Sequence, residues 1–184
     1  MTNEEYIEIK KDYMEHINEV ITNHGELFPH ITIFADQLHP DEANEGKPAV
    51  IHIIIPDEFM ENEDTKDKFV YQMMPDIFKD LKKDFKPHGI AWAAEAWMRV
   101  AIKGEYVPGS EEYKNLPKKE VVIISISTTD EDETIIYEMI RKGKQINSHG
   151  TLTDIVVLEK MPEVGNSKNA VGRFTNLFKK FDKN

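Results

Sequence analysis

"HGIAWAAEAWMRVAIKGE", His88–Glu105, decides the fold because it reads two ways. As a helix, "AWAAEAWMRVAIK" has good propensity through its Ala, Glu, Met and Arg residues. Glu95 and Arg99 then lie one turn apart and pair directly. As a strand, Ile90, Trp92, Ala94, Ala96, Met98 and Val100 form one face, and Ala91, Ala93, Glu95, Trp97 and Arg99 the other. Glu95 and Arg99 would then share a face but stand about 13 Å apart, too far to pair comfortably. Neither period wins alone, so the neighbours decide. Pro87–His88–Gly89 stops the helical run before the segment, and strand patterns flank it. The segment is read as a strand, which sends Glu95 and Trp97 out on one face, where a ligand or partner could read them.

Working outward, Tyr6, Ile9, Tyr13, Ile17 and Val20 recur at helical spacing. Thr2 and Glu5 form a capping box at the start of that helix, and Gly25 supplies its left-handed stop. "HITIFADQ" and "AVIHIIIPD" are β-branched runs bounded by Pro and Gly, and read as strands. The second is apolar on both faces, which predicts a central position in the sheet. The polar "LHPDEANEGKP" joins the two and is long for a tight hairpin. From Asp64 to Phe85 one helical phase holds Phe69, Val70, Met73, Ile77, Phe78, Leu81 and Phe85. Pro75 falls inside that run and predicts a kink in one bent helix. "EVVIISIS" is a buried strand, "TTDEDE" a hairpin turn into "TIIYEMIR", and "NSHG" a turn into "TDIVVLEKM". Finally "NSKNAVGRFTNLFKKF" places Val171, Phe174, Leu177, Phe178 and Phe181 on one helical face, with Ser167 as N-cap.

Glu95, Ala96, Trp97, Pro108, Pro117 and Glu120 carry a resemblance. A small-residue strand ending Glu-Ala-Trp, a loop with prolines and a second strand opening on an acid resemble a group of uncharacterised bacterial and phage proteins. The resemblance spans Gly89–Arg141 and implies a strand for Gly89–Ala101. It implies no activity.

The chemistry the residues can support is limited. There is no cysteine, so disulfides, thiolate zinc sites and cysteine nucleophiles are excluded, in keeping with a reducing, cytoplasmic setting. No HExxH, EF-hand, Walker, GxSxG or GxGxxG pattern occurs. No metal or cofactor is therefore expected, and no catalytic residue is assigned. "LHPDE" sets His39 beside Asp41 and Glu42, with Asp36 three residues earlier, but the ordinary reading is a turn. His52, inside an apolar strand, reads as a histidine bonded to a neighbour. Glu95 must reach solvent, a cation or a proton, because burying it unpaired is costly.

The net charge of −11 disfavours nucleic acid. It is uneven: residues 168–184 carry +4 and the remainder −15. No run approaches the roughly 18 apolar residues of a membrane span, and the charged N-terminus lacks the apolar core of a secretory signal. The Phe-rich last helix has Arg173, Lys179 and Lys180 behind it; packing against its own sheet is the favoured reading, docking into a partner's groove the second, and binding to an anionic membrane the weakest.

The expectation is therefore one α+β domain, residues 1–165. It holds a mostly antiparallel sheet of five or six strands with helices packed on one face, followed by a C-terminal amphipathic helix over 166–184. Its function is expected to be that of a non-enzymatic accessory or protein-interaction domain, with a phage origin suggested by the resemblance. A protein partner or self-association is expected, met at Glu95, Trp97 and Arg99 or by docking of Phe174, Phe178 and Phe181. The alternative is a small-ligand-binding protein or hydrolase with its site around Glu95 and Trp97.

Overall fold

The computed structural model of the chain describes residues 3–40, 48–100, 107, 109–147, 149–161 and 178. The deciding segment is a strand. Its residues 88–99 belong to β3, Phe85–Arg99, which pairs antiparallel with β1, His30–Gln37, on one side and β4, Lys118–Thr128, on the other, while residues 101–105 lie outside the described residues. With β2 (Pro48–Ile54), β5 (Asp132–Ile146) and β6 (Leu152–Lys160), these form one antiparallel, curled six-stranded sheet. Its order is β2-β1-β3-β4-β5-β6.

Strand alternation then sorts the core. Ile31, Ile33, Ile90, Trp92 and Ala94 point to one face, and Phe34, Ala91, Ala93, Val122, Ile124 and Ile126 to the other. The central strands β1, β3 and β4 are thus apolar and buried on both faces, which a single helical layer cannot achieve. The helices accordingly occupy both faces rather than one. α1, Asn3–His24, covers the second face with Tyr13, Ile17 and Ile21. The bent middle helix covers the first with Phe69, Val70, Met74 and Phe78. Ala91 and Ala93, fully buried, are small enough for α1 to sit close.

Pro75 acts as expected. α2, Glu63–Lys68, runs into a π-helical turn, Phe69–Met73, and then into α3, Met74–Leu81. Proline lacks the N–H for the ladder and its ring crowds the preceding turn, so the widened turn absorbs the mismatch just ahead of it. The bent helix starts at an Asn62–Thr65 capping box. It ends at Leu81 rather than Phe85, since Phe85, Lys86 and Pro87 already pair with β1. Pro87–His88–Gly89 is therefore strand, not helix stop. His88 is the extra residue of a bulge opposite Phe34 and Ala35, and the bulge aims its imidazole at Asp36, 2.6 Å away.

A second correction concerns β2. It is an edge strand, not a central one. Ile51 and Ile53 pack against the core, but Val50 and Ile54 are 51 % and 69 % exposed. Apolar residues on both faces mark either a doubly covered strand or one whose second face is bare, and composition does not separate the two.

Of the last helix, Phe178 is described. It is helical and buried, meets the Phe78 ring edge-on at 5.9 Å, and its N–H donates to Ser127 Oγ at 3.2 Å. Ser167, Phe174 and Phe181 lie outside the described residues, as do Thr2, Asp41, Glu42 and Pro108. Among the described residues, no helix is long and apolar enough to cross a membrane.

Candidate functional site

Glu95 and Trp97 do share a face, but their surroundings differ. Glu95 is half-buried, and its Oε1 accepts the Leu27 N–H at 2.6 Å. Burial pushes its carboxyl above the usual range, while the Leu27 bond pulls the other way. The nearest cation, Arg141, is held elsewhere. It makes a two-pronged pair with Glu120 (2.5 and 2.9 Å), bonds Asp154 at 2.8 Å and donates to Gly25 O at 2.9 Å. Arg99, four residues beyond Glu95, gives its Nε–H to Leu116 O at 3.2 Å. This network fastens the end of α1 and the loop after it to β3, β5 and β6. Glu95 is spent on that fastening, and Trp97 stands 66 % exposed beside it.

The same side of α1 carries further ties. Tyr6 and Lys10 both reach Glu133 at the start of β5, Gln145 donates to Thr22 O, and Asn147 to Asn23 O. α1 is thus held toward β5 and β6, and its other flank faces β1 and β2. There the structure opens a cavity of about 240 Å³, lined by Ile9, Asp12, Tyr13 and His16 of α1, Phe34 of β1, and Pro48, Val50 and His52 of β2. A second cavity of about 440 Å³ shares Ile9, Phe34 and Pro48 with it, so the two form one groove along the β2 edge. Neither is lined by Glu95.

Two imidazoles, His16 and His52, line the first cavity, and a third, His30, lies beside His52. The His16 and His52 rings lie 5.0 Å apart at 33°, and His30 is 6.0 Å from His52. Register explains the meeting: Thr32 is paired with His52 and His30 with Ile54 on the face that α1 covers. The hydrogen bonds then assign the protons. His30 Nδ1 is 2.9 Å from Phe28 O, which can only accept, so Nδ1 carries the hydrogen. Its bare Nε2 takes the Tyr13 hydroxyl proton at 3.1 Å. On the next strand pair, Thr32 Oγ1 is 2.9 Å from His52 Nδ1. Tyr13 thus ties α1 to His30, and Thr32 ties His52 to β1, so His30 and His52 are each held by a polar neighbour.

Burial holds His30 below the ordinary histidine range, and the neighbouring His52 and His16 push it lower, although the Phe28 bond opposes this. His52 is lowered by burial and then by His16. Burial also raises the Tyr13 phenol. Burial therefore favours neutral rings at His30 and His52. Among the described residues, no three His, Cys, Asp or Glu side chains are placed to hold a metal. His39 is exposed, and Asp36 is engaged by His88. Sequence reading passed over Asp12, Tyr13, His16 and His30. The one available signal was the Asp12–His16 spacing, which puts both on one helical face.

No family description, curated protein or solved structure matches the chain.

Proposed function

We propose that the chain is a non-enzymatic interaction domain that takes an extended segment of a protein partner along β2. The observation that carries this reading is the contrast between the two sheet edges. Exposed edges are ordinarily blunted by charge, proline or a bulge, because their free N–H and C=O groups invite another strand. β6 carries Asp154, Glu159 and Lys160 within its nine residues. β2, "PAVIHII", has no charged residue and no register shift against β1, and its only proline is its first residue. Strand addition there would bury Val50 and Ile54 and close the groove beside α1.

A hydrolytic or small-ligand site at Glu95 and Trp97 has less behind it. Glu95 already accepts a backbone N–H, and its neighbouring cation is paired twice over.

The partner's chemistry follows from charge. The seven residues before β2, 41–47, carry −2, and the seven after it, 55–61, carry −3. A segment of alternating apolar residues with lysine or arginine at its ends complements that pattern. The test is amide hydrogen exchange with a synthetic peptide of that design. The expected result is slowed exchange at β2 amides facing away from β1, absent in Val50→Lys. Unchanged exchange with saturating peptide would overturn the reading.

A further inference from the structure

We infer that the cavity between α1 and β2 receives an arginine side chain of the bound segment. This inference rests on the reading of β2 as a partner-binding edge for the source of the side chain, not for the chemistry of the cavity.

The walls select a flat cation on an apolar stem. Tyr13, His16, Phe34 and His52 present aromatic rings, against which a planar guanidinium stacks. Ile9, Pro48 and Val50 supply the apolar surface that a three-methylene stem covers. The one formal charge at the cavity is an anion. Asp12 supplies a carboxylate, and a neutral His52 keeps one ring nitrogen as an acceptor. Among the described residues, no cation lies within ion-pair distance of Asp12. A guanidinium carries five N–H donors and no acceptor, so it suits the Asp12 carboxylate, whereas a carboxylate ligand would meet Asp12 as a like charge.

The surrounding charge points the same way. The adjoining cavity is faced by Glu5 and Glu8 from α1, Asp36 from β1, and Lys86 and His88 from β3. Three acids there stand against one lysine, and His88 is already bonded to Asp36. Around the first cavity the titratable groups are Asp12, Tyr13 and His16 of α1, His30 of β1 and His52 of β2. As pH falls and His52 and His30 protonate, the wall becomes cationic and His52 has no acceptor left. The cavity then rejects the guanidinium.

The experiment uses the full chain and two small probes, N-acetyl-arginine methylamide and its uncharged isostere N-acetyl-citrulline methylamide. Binding is read from the imidazole proton resonances of His16 and His52. The arginine probe is expected to shift both saturably and the citrulline probe not. Asp12→Asn should weaken the arginine probe about two- to fivefold, the range of an exposed ion pair, and acidification should weaken it further. Equal response to both probes, no response, or an unchanged affinity in Asp12→Asn would each overturn the inference. Its failure is separable from failure of strand addition. A peptide without arginine that slows exchange at β2 supports the edge reading alone, and an arginine probe that binds when no peptide slows exchange supports the cavity alone.

Discussion

Glu95 and His52 shift in directions that make opposite contributions to stability as pH changes. The folded values of His30 and His52 lie below the unfolded value near 6.5. Between those values the unfolded chain takes up a proton that the folded chain refuses, so stability falls as pH falls through that window. Glu95 is raised above 4.5, so the folded chain binds its proton first, and stability rises as pH falls through the window above 4.5. Urea unfolding across a pH series separates the two. His52→Gln should flatten the acid-side loss of stability, because one of the two depressed groups is gone and the charge it places on His30 goes with it. Glu95→Gln should remove the opposing gain and make the acid-side loss steeper. Superimposable pH profiles for the two variants and the parent would show that neither group is perturbed as its geometry implies.

At the scale of elements, the junction after α1 is the sharpest constraint. Gly25 ends the helix at φ +77°, its N–H bonded to Ile21 O at 2.7 Å. A Cβ there would lie 2.9 Å from the Asp154 backbone nitrogen. The helix end is therefore pressed against β6 with room for glycine alone, while Arg141 joins Gly25 O to Asp154 across the same contact. Gly150, in the β5–β6 turn, has the similar φ +78° but open space around the position of a Cβ. Gly25→Ala should cost more than about 2 kcal/mol, backbone strain and collision together. Gly150→Ala should cost about 1 kcal/mol, strain alone. Thermal or urea unfolding of the two variants checks the difference, and equal losses would mean that the helix end gives way freely.

This junction also marks what sequence can express. Gly25 was legible as a helix stop because a left-handed residue is a local property, and β3 was legible from its alternation and its neighbours. That Gly25 touches β6 was not legible, since a glycine chosen for its φ and one chosen for its size look alike. The histidine array was hidden for a related reason. His16, His30 and His52 are far apart in sequence and meet only through the β1–β2 register and the angle at which α1 crosses the sheet. The position of β2 was misread because bare and buried apolar faces have the same composition.

At the scale of the whole molecule, the net charge of −11 works against a β2 edge that is bare among the described residues. An uncharged edge can pair with a second copy of itself, and each copy then brings the two sequence stretches on either side of β2, 41–47 and 55–61. Both stretches are acidic, at −2 and −3, so self-pairing meets repulsion where a partner with basic ends meets attraction. Salt acts on the two cases with opposite signs. The Debye length falls from about 10 Å at 0.1 M to about 3 Å at 1 M, so added salt removes both the repulsion and the attraction. Sedimentation velocity should therefore show self-association rising between about 0.05 M and about 0.5 M sodium chloride, while affinity for the basic-ended peptide falls over the same range. Val50→Lys, which places a charge on the edge, should abolish both. If self-association instead declines with salt, or persists in Val50→Lys, then the contact between copies lies away from β2, and the acidic flanks are not what keeps the edge free for a partner.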